Sequence, residues 1–299
     1  MKKLFTLFTV LLISVFAWAQ SPKLSYQAVI RDGQNKLVVE QPVTVTVNVL
    51  KADNTSQFEQ TFNATTNRNG LIITDGRPCL GHPTMKDADQ NTYPTVMIGN
   101  QCWMAKNMRC TSGITNKGTN YTETSSTNAY AYQPEGDVNT YGLLYNWPAA
   151  KTVCPTGWHL PTDADWNELT YYVYNSKKPV YKSANCATSE WDQDYTSCIA
   201  NSLTDSTGWN NRNNQGIYAG NKSDSRNLTG FSAVPAGRVG VASTEYDEFS
   251  THAYFWSSTS NPNSSSYAIN RYLNSNDSYV TRKIWAEIYL GYSVRCVMD

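Results

Sequence analysis

The stretch "CPTGWHLPTDADWNELTYYVYN", residues 154 to 175, decides the class of fold. Thr162 stands at an N-cap position, Asp165 follows at N3, and Trp166, Leu169 and Val173 fall on one helical face. This spacing predicts one amphipathic helix. Upstream, "TYGLLYNWPAAK" (140 to 151) predicts a second helical turn or short helix that ends near Pro148. Few other stretches have helical periodicity. The surrounding text is rich in Asn, Ser, Gly and Tyr and reads as short strands and long loops, which makes this part an α+β domain with much irregular structure.

Towards the N-terminus the pattern changes. Residues 1–19 place Lys2 and Lys3 before an apolar run ending in Ala17-Trp18-Ala19, the layout of a secretory signal peptide cut after Ala19. The run is short for a membrane span of about 20 residues, and no cysteine follows it to carry a lipid anchor. The mature chain is therefore expected outside the cytoplasm, secreted or at the cell surface, with no transmembrane segment after cleavage. Residues 20–78 form a separate β-rich module. Val43, Val45, Val47 and Val49 alternate, and Asp32-Gly33 and Asn69-Gly70 are turn signals. A module of this size is near the lower limit for an independent core. "TDGRPCLGHPT" (74 to 84) reads as a linker on its Gly and Pro content, and residues 79–299 form the main domain.

Composition excludes one class of partner. Lys and Arg total 24 against 24 Asp and Glu, so the clustered positive charge that nucleic acid requires is missing. Twenty Tyr and nine Trp, with abundant Asn, Ser and Thr and 16% charged residues, are instead the palette of recognition surfaces. The seven cysteines all follow the signal, and export makes disulfides their default use. Three pairs leave one thiol over. Cys186 and Cys198 bracket a short polar stretch, and a local bridge there would stabilise by roughly 3 kcal/mol. Zinc is not expected: there is no C-x-x-C, and Cys79-x-x-His82 lacks a second ligand pair.

Six motifs occur in order: "YPTVMIGNQCWMAKNMR" (93 to 109), "YGLLYNW" (141 to 147), "CPTGWHLPTDADWNELT" (154 to 170), "GFSAVPAGR" (230 to 238), "FWSST" (255 to 259) and "GYSVRCV" (291 to 297). Together they resemble the major paralogous domain family of Fibrobacter, FISUMP, over residues 79–299. The leading β-rich segment also resembles modules that precede such domains. Lys106 departs from the pattern, which more usually has an acidic residue before Asn107. The resemblance implies a fold similar to C-type lectins and formylglycine-generating enzymes. It also implies a tie between Cys154 and Cys296 and a bridge between Cys79 and Cys102 that leaves Cys110 free; Cys102 with Cys110 is the rival pairing.

Catalysis is not expected. The related oxidase binds copper through two cysteines five apart, since thiolates suit Cu(I), but Gly291 stands five before Cys296. No G-x-S-x-G occurs. His159, between Trp158 and Leu160, reads as a packed structural histidine. Asp163 and Asp165 read as first-turn helix acids rather than a glycosidase pair. "DADQN" (87 to 91) offers Asp87, Asp89 and Asn91 as oxygen ligands for calcium but lacks the downstream glutamate of an EF-hand, and reads as a polar hairpin turn between Met85 and Tyr93. The Glu-Pro-Asn and Trp-Asn-Asp pairing of calcium-dependent lectins is also missing. No metal or cofactor is expected.

The remaining informative stretch is "SSSYAINRYLNSNDSYVTRKIWAEIYL" (264 to 290). Strand alternation places Asn270, Tyr272, Asn274 and Asn276 on one face, with Tyr279, Trp285 and Tyr289 as nearby aromatic platforms. Such a face suits a sugar ring or a docked protein. Some lectin-like proteins of this family type are diversified in this region by retroelements that rewrite adenine-containing codons, and the Asn, Tyr, Ser and Thr mixture fits that. The expected function is a secreted or cell-surface protein that binds a glycan or a surface protein. The alternatives are a subunit of a fimbria-like assembly and, more distantly, a polysaccharide-acting enzyme.

Overall fold

The computed structural model describes residues 31–36, 38, 42–50, 56–66, 72–73, 77–79, 81–114, 116–117, 129–131, 136–176, 199–210, 227–240 and 246–299. The signal sequence, the Asn69-Gly70 turn, and Cys186 with Cys198 lie outside the described residues. Within them the protein is mostly β with few helices, and no helix is long and apolar enough to cross a membrane.

The N-terminal module is an antiparallel sheet of β1 (Pro42–Leu50), β2 (Ser56–Thr66) and β3 (Ile72–Ile73), in that order. Asp32 builds the turn before it by accepting hydrogen bonds from the backbone N–H of Gln34 and Lys36 at 2.9 and 3.0 Å. The main domain continues with β4 (Thr84–Lys86), β5 (Thr92–Ile98), β6 (Gln101–Met104), β7 (Asn116–Lys117), β8 (Ala129–Ala131), α1 (Val138–Tyr141), β9 (Leu144–Tyr145), α2 (Trp147–Ala150), β10 (Trp158–His159), α3 (Asp163–Ser176) and α4 (Ala200–Leu203). It ends with β11 (Arg238–Val239), β12 (Tyr246–Asp247), β13 (His252–Asn261), β14 (Ser264–Asn274), β15 (Val280–Glu287) and β16 (Val297–Met298).

Two sheets carry the architecture. In one, the order β10-β16-β6-β5-β4 seats the last strand between segments from early in the domain. The other is the meander β13-β14-β15. Residues from Arg77 onward belong to the first sheet rather than to a loose linker: Met97 N–H donates to the Arg77 carbonyl at 2.8 Å, and Cys79 N–H donates to Thr95 Oγ1 at 3.1 Å.

α3 forms as its sequence dictates. Thr162 Oγ1 accepts from Asp165 N–H at 3.1 Å and Asp165 Oδ2 accepts from Thr162 N–H at 2.8 Å, a reciprocal capping box. Trp166, Leu169 and Val173 are fully buried. Trp166 packs against Trp103 and Phe255 with ring centroids 4.9 and 5.7 Å apart. The predicted stop at Pro148 is corrected: α2 begins at Trp147 and runs through Pro148. Asn146 caps it by accepting from Ala149 N–H, and Pro148 sits in the first turn, where its missing N–H would have had no intrahelical acceptor.

The disulfides Cys79–Cys102 and Cys154–Cys296 are both formed and Cys110 is a buried free thiol, so the rival pairing of Cys102 with Cys110 is excluded. Beside Cys296 lies the centre of the domain. Arg295 is fully buried, and its guanidinium donates to Asn107 Oδ1 at 2.7 Å, to the Met104 carbonyl at 3.0 Å, to the Ser232 carbonyl at 2.8 Å and to the Phe231 carbonyl. It also lies 4.7 Å from the Phe231 ring centroid and 5.7 Å from that of Phe255. Asn107 in turn donates to the Tyr141 carbonyl at 2.8 Å and to Ser293 Oγ at 3.1 Å. Gly142 lets this happen: at φ 74° a Cβ there would stand 2.5 Å from that of Asn107.

Burial pulls the Arg295 pKa down to about 9, which still leaves the guanidinium charged at neutral pH. We predict that Arg295→Lys lowers the unfolding free energy in urea by about 3 kcal/mol or more, because an ammonium cannot reproduce the planar fork and leaves buried carbonyls unpaired. A variant as stable as the parent would contradict the central role of this side chain.

Candidate functional site

β14 runs between two cores and presents a different face to each. Odd-numbered Arg271 meets α3 through Asp163 at 2.8 Å, joined by Arg282 at 2.7 Å. Burial pushes the Asp163 carboxyl up, but the two arginines outweigh it and hold it below its usual range. Asp163 is thus an ion-pair partner, and it does not converge with Asp165 on a cleft.

The even-numbered face is the candidate site. Its register pairs Asn274 with His252, Tyr272 with Tyr254, and Asn270 with Trp256, so these side chains share one side of the sheet. The aromatic rings form a continuous group. His252 stacks on Tyr254 at 5.5 Å, Tyr254 stacks on Tyr292 at 4.9 Å, Trp256 meets Tyr292 at 4.4 Å, and Tyr272 meets Tyr254 at 5.3 Å.

A polar cluster borders these rings. Tyr254 Oη donates to Glu248 Oε2 at 2.6 Å, and Arg238 Nε lies 3.0 Å from the same oxygen. His252 Nδ1 is 4.0 Å from Glu248 Oε1. Asp247 is 3.6 Å from Arg238 Nη2, so two carboxylates face one guanidinium at this rim. The turn that delivers Glu248 is unusual, since Glu248 and Ser250 have φ of 63° and 62°, a region non-glycine residues seldom occupy. Gly237, at φ 66°, allows the chain to approach it, because a Cβ there would lie 2.4 Å from the Asp247 carbonyl oxygen. Burial drives the Tyr254 hydroxyl pKa far up, with the Glu248 bond adding to it, and burial does the same to Tyr292 against the pull of Arg238. Both remain neutral donors. Burial also lowers the His252 pKa, Glu248 opposing and Arg238 reinforcing, which favours the neutral ring.

At the floor is Asn270, fully buried, with neither amide atom hydrogen-bonded. Of the residues predicted from sequence, the structure brings Asn270, Tyr272 and Asn274 together here. Asn276 lies exposed in the turn beyond the end of β14, with its N–H donating to Asn274 Oδ1 at 2.9 Å. Tyr279 is half-buried just before β15. Trp285 is 48% exposed and meets odd-numbered Tyr267 edge-to-face at 5.4 Å, away from this face. Tyr289 is half-buried against the core. Arg238, Glu248, His252, Tyr254 and Tyr292 were not singled out as site residues. Arg238 and Tyr292 lie within quoted motifs, but only the folded chain brings them to Glu248 and His252.

The other candidates are built into the scaffold. Asp87 accepts from the N–H of Asp89 and Asn91, both at 2.9 Å, and from Tyr93 Oη at 2.5 Å, closing the predicted β4–β5 turn. Asp89 accepts from Thr111 and Ser112. Among the described residues no group of three or more His, Cys, Asp and Glu is arranged to hold a metal ion. Gly291 packs against Val239, where a Cβ would approach to 3.0 Å. His159 is partly exposed rather than packed, with Nδ1 2.6 Å from Asp299 Oδ1 and Nε2 3.1 Å from Asp165 Oδ2.

These features define a mostly β, disulfide-tied domain, closed around a buried arginine and carrying one polar aromatic face. A family model described as the Fibrobacter succinogenes major domain matches residues 96–298, and the chain belongs to that family. No curated protein and no solved structure matches it significantly.

The His159 clamp predicts a pH dependence. The bond to Asp165, and then that to Asp299, raise the His159 pKa above 6.5, so its stabilisation is complete below pH 6.5 and fades as pH rises through the higher folded value. Asp165 behaves oppositely: burial raises its pKa, but His159 and Thr162 hold it down to about 2, so its contribution is present above pH 3.8 and fades towards 2. The Tm difference between the parent and His159→Gln is expected to be largest from about pH 4 to 6.5 and to shrink by about pH 9. A difference independent of pH would refute the clamp.

Proposed function

We propose that the protein is an exported binding protein, secreted or held at the cell surface, whose ligand is a glycan docked on the even-numbered face of β14. One observation carries the reading: the half-buried Tyr272 ring, packed on Tyr254, and Asn274 share one face with a polar rim of Arg238, Glu248 and His252. Aromatic faces stack on sugar rings and short polar groups supply the directed hydrogen bonds. On this reading the fold is related to C-type lectins, binding is calcium-independent, and β14 is where sequence change, including retroelement-driven change, would alter specificity. Binding rather than catalysis is favoured because Asp87, Asp89, Asp163 and Asp165 are all occupied in turns, caps or ion pairs.

A second reading, a subunit of a surface assembly, draws on the exposed Trp285 and Tyr267 pair, which suits a protein partner. A glycan and mucin array separates the two. The purified protein is expected to bind with or without EDTA, Tyr272→Ala to weaken binding about tenfold or more, and Trp285→Ala to leave it unchanged. Loss of binding in Trp285→Ala but not in Tyr272→Ala would transfer the role to the second surface.

A further inference from the structure

His252 and Asn274 stand directly opposite each other on β13 and β14, and the hydrogen bonds around them leave each with one defined polar atom. Thr251 Oγ1 donates its only proton to the Glu248 carbonyl at 2.9 Å. Towards His252 Nδ1, 3.0 Å away, that oxygen can only accept. The proton of the neutral ring therefore sits on Nδ1, where Glu248 Oε1 at 4.0 Å also favours it, and Nε2 keeps a lone pair. Asn274 is fixed in the opposite sense. Its Oδ1 accepts from Asn276 N–H at 2.9 Å, which leaves Nδ2 as a donor. Among the described residues neither Nε2 nor Nδ2 has a hydrogen-bond partner. Both side chains are partly exposed, as is the Tyr272 ring, so nothing has to move for a ligand to meet them.

We propose that His252 and Asn274 are the specificity-determining residues of this face and read the hydroxyl groups of a neutral sugar. The inference rests on the glycan reading above and names the class of sugar. A hydroxyl is donor and acceptor at once, so neighbouring hydroxyls on one ring can give a proton to Nε2 and take one from Nδ2. A carboxylate or sulfate has no proton for Nε2, and an ammonium group has no lone pair for Nδ2. The Tyr272 ring, with its centroid 6.2 Å from that of His252, stands beside the pair to carry the face of the same sugar. The charges agree. Glu248 and Arg238 act on His252 in opposite directions, and burial with Arg238 favours the neutral ring. Asp247 joins Glu248 on Arg238, so this guanidinium is already matched by two carboxylates and is not left over for an acidic sugar. Tyr254 and Tyr272 are the other titratable groups around the ring, and Lys283 is exposed a strand away on β15, opposite Asn270.

The test is an array of neutral, sialylated, sulfated and uronate glycans, read at pH 7.5 and pH 4.5 with the purified protein, His252→Gln and Asn274→Ser, with thermal melts to show that each is folded. At pH 7.5 the parent is expected to bind neutral glycans about tenfold or more better than acidic ones. Acidification puts a proton on Nε2 and removes the acceptor, so parent affinity is expected to fall about fivefold or more by pH 4.5; burial lowers the His252 pKa, which places the fall below pH 6.5. His252→Gln is expected to bind about threefold more weakly at pH 7.5 and to lose the pH dependence. Asn274→Ser, whose hydroxyl can still accept from Asn276 N–H, is expected to bind about tenfold more weakly and to keep it. His159 titrates over the same interval, so a fall that persists in His252→Gln belongs to another group and would overturn the assignment. A preference for acidic glycans, a parent affinity unchanged by pH, or full binding by Asn274→Ser would overturn it too, while leaving glycan binding by the protein intact. Capture of no glycan at all would overturn the glycan reading as well.

Discussion

A charged guanidinium sits at the centre of this domain with no carboxylate among the described residues within hydrogen-bonding distance, and much of the fold follows from satisfying it. Arg295 reaches backbone carbonyls at Met104, Phe231 and Ser232 and the amide oxygen of Asn107. A buried cation is expensive unless its donors are met, and carbonyls meet them only where several chain segments converge in fixed geometry. The requirement therefore selects one arrangement of segments. The adjoining residues reinforce it: Cys296 is bonded to Cys154, and Val297 pairs with Trp103. Residues nearly two hundred positions apart are joined within one turn of space.

This explains why the recurring motifs lie where they do. Asn107, Tyr141 with Gly142, Phe231 with Ser232, Phe255, and Ser293 with Arg295 come from five of the six motifs, and all touch the guanidinium or the Asn107 amide that supports it. The sixth motif contributes Cys154 to the adjoining bridge, and also the α3 capping box and the His159 clamp. The motifs are thus a scaffold specification. Strand β14 lies outside all of them, and its even-numbered Asn270 lies opposite motif residue Trp256 in the register. The motifs thus specify the floor, and β14 is specified separately from them.

What the sequence disclosed was local. The capping box of Thr162 and Asp165, the buried stripe of α3, the Asp32 turn and the Asp87 hairpin all depend on residues within a few positions of one another, and each formed as its spacing predicts. Pro148 was misread because a proline that ends one helix and a proline that begins another differ only in what precedes them, here a capping Asn146. The site was partly legible. Alternation placed Asn270, Tyr272 and Asn274 together, but the turn after Asn274 removed Asn276, and a register shift between Ala268 and Asn270 left Trp285 against Tyr267. Arg238, Glu248 and His252 come from chain turns whose approach depends on Gly237 and on two left-handed residues, and no periodic pattern encodes that.

Some locally unfavourable features lie at this face. Away from it, buried polar groups such as Asn107, Arg295 and Trp103 Nε1 are matched, the last with Gln101 at 3.1 Å. Within it, Glu248 and Ser250 hold left-handed backbone and Asn270 keeps an unpaired amide in an apolar setting. Each of these is destabilising by roughly 1–3 kcal/mol, and ordinary substitutions would relieve them: glycine in the turn, leucine on the strand. A scaffold held by the Arg295 network and the Cys79–Cys102 and Cys154–Cys296 disulfides tolerates such local departures because its stability does not depend on them.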